Sequence, residues 1–198
     1  MNRPATRKEL SHERIVDAAS RAIRREGYAG VGVAEVMKEA GLTHGGFYAH
    51  FPSRDALLAA AMERAGRDGA ARLAQGMAQR RAEGASPLRA WVDTYLSEAH
   101  LGGCERGCPV SALASEIPRQ SSDVREAAAV RVQRLLEGIQ QVLPAAAGEH
   151  AAVAVTSTLV GALQLARALG DNAQGRAVLA AARKAILDQY DHEGPPAR

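Results

Sequence analysis

The chain is short of aromatic residues, of cysteine and of long apolar runs, and each shortage narrows what it can be. Phe, Trp and Tyr make up 4% of its 198 residues. With abundant alanine and few β-branched runs, that composition points to helices packed closely through small side chains. The only two cysteines, Cys104 and Cys108, are four residues apart and do not form a disulfide framework in a chain of this size. No stretch approaches the ~18 uninterrupted apolar residues that a bilayer span needs, and the basic start MNRPATRKEL lacks the apolar region of a secretory signal. A cytoplasmic location is the expectation. No Ser/His/Asp or Cys/His/Asn signature, Gly-rich phosphate loop or acidic pair stands out. An enzyme is therefore not expected, no residue is assigned a catalytic role, and neither a cofactor nor a metal is implied.

What is present begins with charge. The formal net charge is +3, a weak pointer to nucleic acid. Residues 1–25 carry seven Lys or Arg against three acids. A basic arm and first helix of this kind could meet a phosphate backbone, or form a solvated face. The first periodic segment, Glu13 to Arg25, places Ile15, Ala18, Ala19, Ala22 and Ile23 on one helical stripe, with Ser11 as its N-cap and Gly27 as its stop. A short helix, Val33 to Ala40, is broken by Gly41. Thr43 can cap a second short helix from about His44 to His50, and Pro52 and Ser53 announce a long helix reaching about Gln79.

Two short helices joined by a four-residue turn containing Gly form the unit that sets its second helix into the DNA major groove. That second helix holds an apparent contradiction. Tyr48, His50 and Arg54 are spaced for contact on one side, yet Gly45 and Gly46 sit among them, and each weakens a helix by about 1 kcal/mol relative to Ala.

The stretch VAEVMKEAGLTHGGFYAHFPSRDALL resembles the helix-turn-helix of the tetracycline-repressor-like (TetR) transcription regulators. Gly41-Leu42-Thr43, Phe47-Tyr48, Phe51, Ser53-Arg54 and Asp55-Ala56-Leu57 match that pattern in order and spacing, strongly over about residues 11–65. The resemblance implies an all-α fold of about nine helices. A three-helix DNA-binding domain would occupy residues 1–56, with the long connecting helix beginning near 53. A larger effector-binding and dimerisation domain would follow over 57–190, and then a disordered tail, 191–198. It further implies that Thr43, His44, Gly45, Gly46, Tyr48, His50 and Arg54 meet operator DNA. Thr43 would cap the helix, His44 would face base edges, Tyr48 and His50 would touch phosphate or groove wall, and Arg54 would clamp a phosphate. Phe47 and Phe51 would be core anchors, and the two glycines clearance for the duplex. Met37, where the family usually has a small Ala, and Gly32-Val33, where it has a hydroxyl pair, are departures. Ala49 stands where many relatives carry a polar or aromatic phosphate contact, so base readout would be thin and DNA shape more important.

Beyond residue 85, Pro87 opens an amphipathic helix ending at Gly102-Gly103. A short helix lies between Cys104 and Pro118, and longer ones over Asp123–Val142, Glu149–Leu169 and Gln174–Tyr190. The family dimerises through its last two helices, so residues 149–169 and 174–190 are the expected homodimer interface, and a dimer implies a pseudo-palindromic operator. Ala152, Val155, Thr156, Leu159, Ala162, Leu163 and Ala166, with Gly161, form the small-residue face offered for it. Effector-binding or thiol-sensing candidates are Trp91, Tyr95, Cys104, Cys108 and Leu113. Trp91 and Tyr95 lie one turn apart beside which Cys108 and Leu113 could complete a cavity, and Cys108 precedes Pro109 at a helix start that favours a thiolate. The small-molecule effector is not identified by these residues. A His100-Cys104-Cys108 metal site lacks a fourth ligand, and glycines break the helix it would need. The reading is thus a homodimeric, operator-binding repressor released by a small molecule or a thiol-reactive signal. A Cys108-dependent thiol enzyme and a helical protein-interaction module remain the alternatives.

Overall fold

The computed structural model describes Arg3 and residues 5–191; the C-terminal tail expected to be disordered lies, apart from Asp191, outside the described residues. The described residues form nine α-helices and four short 3-10 helices, and no strand. The helices are α1 (Arg7–Gly30), α2 (Val33–Glu39), α3 (Arg54–Ala82), α4 (Pro87–Tyr95), α5 (Glu98–Gly102), α6 (Pro109–Leu113), α7 (Ser122–Val142), α8 (Ala151–Leu169) and α9 (Ala173–Tyr190). They divide into two compact units. Of the described residues, those up to 69 and 104–131 form the first; residues 70–103 and 132–191 form the second. Each unit is therefore built from two separate stretches; two of the three boundaries fall inside α3 and α7, and the third follows α5.

Local sequence explains most helix ends. The start of α1 differs from expectation, since Thr6, not Ser11, is its N-cap. The Thr6 hydroxyl accepts the Glu9 amide at 3.2 Å and the Glu9 carboxylate accepts the Thr6 amide at 2.6 Å, a reciprocal capping box that satisfies two otherwise unpaired donors. Ser11 is buried inside the helix. Ser53 caps α3 through the Ala56 amide at 3.1 Å, as its place after Pro52 implies. The helix expected from Pro87 to Gly102 is two helices, because Ser97 caps a new one by accepting the His100 amide at 3.2 Å.

The core of the first unit joins α1, α2, the 3-10 helix His44–Ala49 and the start of α3 to α6 and α7. Ile15, Ile23, Met37, Leu57, Leu58 and Met62 are fully enclosed, and Leu113, Val124 and Ala128 from the later stretch close the same cluster. Each of the larger side chains contributes about 1.5–3 kcal/mol by leaving water, so the later stretch, with Leu113 and Val124, is an integral part of this unit. In the second unit α8 packs along α9. Ala152, Val155, Thr156, Leu159, Ala162, Leu163 and Ala166 are all buried within the protomer, which corrects their reading as a dimerisation face. Helix α8 is apolar on more than one side, so periodicity alone could not say which side faces out. It is the one helix among the described residues long and apolar enough to cross a membrane, with mean hydropathy 1.5. Its packing on α9 is how a core helix passes that test.

Candidate nucleic-acid interface

Helix α2 ends at Glu39 with Ala40 as its C-cap, and Gly41 turns the chain with a φ of +70°, a conformation that L side chains rarely adopt. Gly32 at its start supplies no side-chain cap, in line with the lost hydroxyl pair. The expected second helix is present as a 3-10 helix, His44–Ala49, tighter than an α-helix. Thr43 occupies its N-cap, but the hydroxyl makes no capping bond; the Thr43 carbonyl instead accepts the Gly46 amide at 3.1 Å. At the other end the amides of His50 and Phe51 both donate to the Phe47 carbonyl, at 2.9 and 3.0 Å.

Phe47 and Phe51 are buried, their rings 5.8 Å apart, and His12 from α1 stacks on Phe51 at 4.6 Å. These contacts fix one side of the 3-10 helix and turn the other outward. Thr43, His44, Gly45 and Tyr48 are exposed; Gly46 and His50 are half-buried. Tyr48 is 76% exposed, the most accessible large apolar side chain described. Neither Gly45 nor Gly46 has a positive φ. A Cβ at Gly45 would meet nothing within 4 Å, and one at Gly46 would touch only the Met37 methyl at 3.7 Å. The fold itself therefore has room for side chains at both. Met37 is fully buried and ends beneath Gly46, so its bulk is accommodated where a neighbouring side chain is missing.

Burial, with His12 and Lys8 nearby, holds the His50 imidazole below its ordinary pKa, and its Nδ1 is buried without a hydrogen-bond partner. Arg54, the expected phosphate clamp, turns inward. Its Nε donates to the Val31 carbonyl at 3.2 Å and a second guanidinium nitrogen bonds the Tyr28 carbonyl. Three of the basic residues of α1 are likewise engaged within the protein. Arg21 pairs with Asp17 and with Glu39 at 3.0 Å, and Arg25 with Glu26 at 2.8 Å and Glu105 at 3.3 Å. Arg24 is buried and donates to the carbonyls of Ser20 at 2.8 Å and Gly107 at 3.1 Å. Charge counting could not separate these from cations left for DNA.

The five effector candidates fall in different units: Trp91 and Tyr95 in the second, Cys104, Cys108 and Leu113 in the first. The Trp91 ring packs on α7, where a Cβ on Gly138 would come within 2.3 Å of it, and its indole nitrogen is buried without a hydrogen-bond partner. Tyr95 is buried and meets His100 edge-on at 4.9 Å. The His100 Nδ1 is 2.7 Å from the Tyr95 carbonyl, and burial pushes its pKa down to about 4. Leu113 belongs to the core of the first unit. The two thiols are not joined. Cys104 donates to the Arg24 carbonyl at 3.0 Å, and Cys108 occupies the N-cap of α6. Among the described residues no three His, Cys, Asp or Glu side chains gather as metal ligands. A surface cleft of about 510 Å³ between α4 and α9, which the sequence did not signal, is lined by paired charges, Arg89 with Asp191 at 2.8 Å among them.

A short pinned helix, presented outward after a glycine turn on a basic chain, defines a helix-turn-helix DNA-binding protein. Comparison with known proteins gives the family. Residues 15–61 match the bacterial regulatory proteins of the tetR family, and residues 84–181 match the C-terminal domain of LmrA/YxaF-like transcriptional regulators. The HTH-type transcriptional regulator Rv0196 of Mycobacterium tuberculosis is 31% identical over 173 residues, covering 80% of this chain and 85% of its own. LmrA of Bacillus subtilis, an HTH-type transcriptional regulator, is 27% identical over 59% of this chain and 62% of its own. Among solved structures, the reduced form of Escherichia coli NemR superposes with a TM-score of 0.74 at 20% identity, covering 91% of this chain and 97% of its own. A TetR transcriptional regulator from Legionella pneumophila gives 0.73 at 21%, over 96% and 100%. The chain belongs to the TetR family of transcriptional regulators, a family of DNA-binding regulators and not of enzymes.

Proposed function

We propose that this protein is a cytoplasmic homodimeric repressor that reads a pseudo-palindromic operator through Thr43, His44, Gly45, Gly46, Tyr48 and His50, with Arg54 holding the Tyr28 and Val31 carbonyls at the entry to α2. Binding of a small molecule in the C-terminal half, or modification of a thiol, releases it from DNA. The carrying observation is Tyr48, 76% exposed on a helix whose opposite side is anchored by buried Phe47 and Phe51. An aromatic held out in solvent by a rigid support is positioned for a partner, and in a helix-turn-helix that partner is the groove wall or phosphate. Dimerisation is supported by an exposed row on α8. Val153 is 54% and Leu165 62% exposed, Leu169 continues the row, and Ser157 and Gly161 lie between them. Two heads joined there would enter successive major grooves only at one separation, and the effector would bias that separation.

The test is gel retardation with duplex DNA from beside the protein's own gene. Retention should survive excess competitor DNA, weaken with salt as counterions are released, and disappear in Tyr48→Ala. Unchanged retention by that variant would remove Tyr48 from the interface.

A thiol-reactive signal is favoured over a purely reversible ligand by one contact. The Cys104 thiol donates to the Arg24 carbonyl, next to the Arg24–Gly107 and Arg25–Glu105 contacts. Alkylation or oxidation would remove that donor and add bulk against α1. The fold is shared with NemR, whose structure is of a reduced form. Release of operator DNA by a mild electrophile in wild type, but not in Cys104→Ala or Cys108→Ala, would support this reading. Equal release in all three would exclude both cysteines.

A further inference from the structure

Helix α1 is interrupted three residues before its end. Gly27 has φ +75° and ψ 172°, and the chain resumes helical form from Tyr28 to Gly30. The carboxylate of Glu116, from the stretch between α6 and α7, sits on this interruption. Its Oε2 accepts the Tyr28 amide at 2.9 Å, and a Cβ at Gly27 would come within 2.5 Å of its Oε1. The left-handed backbone conformation favours glycine at residue 27, and the carboxylate end of the Glu116 side chain lies in the space a Cβ would take. Immediately beyond, the Tyr28 and Val31 carbonyls are held by Arg54. The few residues that set the entry of α2 are therefore gripped on the amide side by Glu116 and on the carbonyl side by Arg54. Tyr28 itself is fully buried, so the turn has little freedom to shift as a whole.

We infer that Glu116 is a positioning residue for DNA reading: its carboxylate sets the pose of α2 and of the 3-10 helix His44–Ala49 without touching DNA. The inference rests on the DNA-contact surface proposed above. All the groups concerned lie in the first unit. The stretch carrying Glu116 is fastened to α1 by Cys104 on the Arg24 carbonyl, Arg24 on the Gly107 carbonyl at 3.1 Å and Arg25 with Glu105. A carboxylate on a backbone amide is a charge-assisted bond, and deleting it leaves a part-buried donor unpaired. The turn then has one fixed side instead of two, and the reading helix samples more orientations. Specific binding, which needs side chains in register with base edges, is lost, while non-specific attraction to phosphate is retained.

The probe is a duplex enriched from a random-sequence pool by the wild-type protein, with bulk genomic DNA as the non-specific competitor. Glu116→Ala, Glu116→Asp and Glu116→Gln are compared below the melting temperature of each. Alanine removes the acceptor, aspartate withdraws it by one methylene, and glutamine keeps an acceptor oxygen at the same reach. The expected result is a loss of specific affinity of about tenfold or more for Ala and Asp. Gln should recover most of the affinity, and non-specific binding should be equal in all four proteins. A merely structural role would lower the melting temperature but leave the ratio of specific to non-specific affinity unmoved. If Ala unfolds, Asp against Gln decides the matter. Asp binding the selected duplex as wild type does would overturn the role of Glu116. Enrichment of no duplex by the wild-type protein would overturn the DNA-contact surface itself.

Discussion

Arg54 and Val31 are joined by a hydrogen bond of 3.2 Å from the guanidinium Nε to the backbone carbonyl, and the same side chain reaches the Tyr28 carbonyl. A residue whose sequence position reads as a phosphate clamp thus holds the chain's own backbone at the entry to the helix-turn-helix. Replacing Arg54 by Ala should cost about 1.5–3 kcal/mol of stability, the range for hydrogen bonds to a charged group. Lys should recover little, because a point charge cannot match the two-pronged geometry. Urea denaturation reads this directly. If Arg54 acts only on phosphate, stability will stay at the wild-type value and the salt dependence of DNA binding alone will fall, by about one unit of slope.

Gly45 offers the opposite separation of stability from binding. It has no positive φ, and a Cβ there meets nothing within 4 Å. Gly45→Ala should therefore stabilise the protein by up to about 1 kcal/mol, from helix propensity and the reduced freedom of the unfolded chain. If the glycine exists to let the duplex approach, operator affinity should drop in the same variant despite the gain in melting temperature. Thermal melts and gel retardation on one preparation are sufficient. A variant both more stable and equally tight would show that glycine is merely tolerated.

Much of this site was legible because its signals are local. Gly41, the Thr43 position, Pro52 and Ser53 punctuate the chain, and the Phe47–Phe51 spacing marks the buried side; the structure has all of these features where the pattern put them. The capping box Thr6-Arg7-Lys8-Glu9 is equally local, and it, not Ser11, starts the helix. What could not be read depends on partners distant in sequence. Arg24 looks like any surface arginine until Gly107 lies against it, and nothing near Gly27 announces that Glu116 occupies the space where a side chain would go. Helix α8 failed for a different reason. Its buried face and its exposed row of Val153, Leu165 and Leu169 are both apolar, and packing distinguishes them.

His100 makes the second unit sensitive to acid. Burial holds its folded-state pKa at about 4, against roughly 6.5 for an unfolded histidine. Between those values the unfolded chain binds a proton that the folded chain refuses, so stability is complete above about pH 6.5 and declines as pH falls toward 4. The loss attributable to this one group is at most roughly 3–4 kcal/mol. His100→Asn keeps a donor near the Nδ1 position, where the Tyr95 carbonyl lies 2.7 Å away. That variant should lose less stability than wild type between pH 7 and 4.5 in denaturant titrations. Parallel pH profiles for the two proteins would mean that other groups account for the acid sensitivity.

The exposed row on α8 leads to a prediction about assembly. Leu165, 62% exposed, stands one turn from Gly161, where a Cβ would meet nothing within 4 Å. A partner helix can approach closely at Gly161 and cover Leu165 and Leu169 on one side and Val153 on the other. Leu165→Lys places an ammonium in that contact, and two copies related by a two-fold axis bring two of them. The dimer dissociation constant should rise by about a hundredfold or more, equivalent to roughly 3 kcal/mol. Sedimentation velocity across a concentration series measures it. Val130, 41% exposed on α7, provides the control, since Val130→Lys adds the same charge to a different apolar position and should leave the association constant unchanged. Dissociation by Val130→Lys together with a persistent Leu165→Lys dimer would move the interface from α8 to α7. Loss of DNA binding in parallel with loss of the dimer would further tie operator recognition to two heads acting together, because one head alone makes only half of the phosphate and groove contacts.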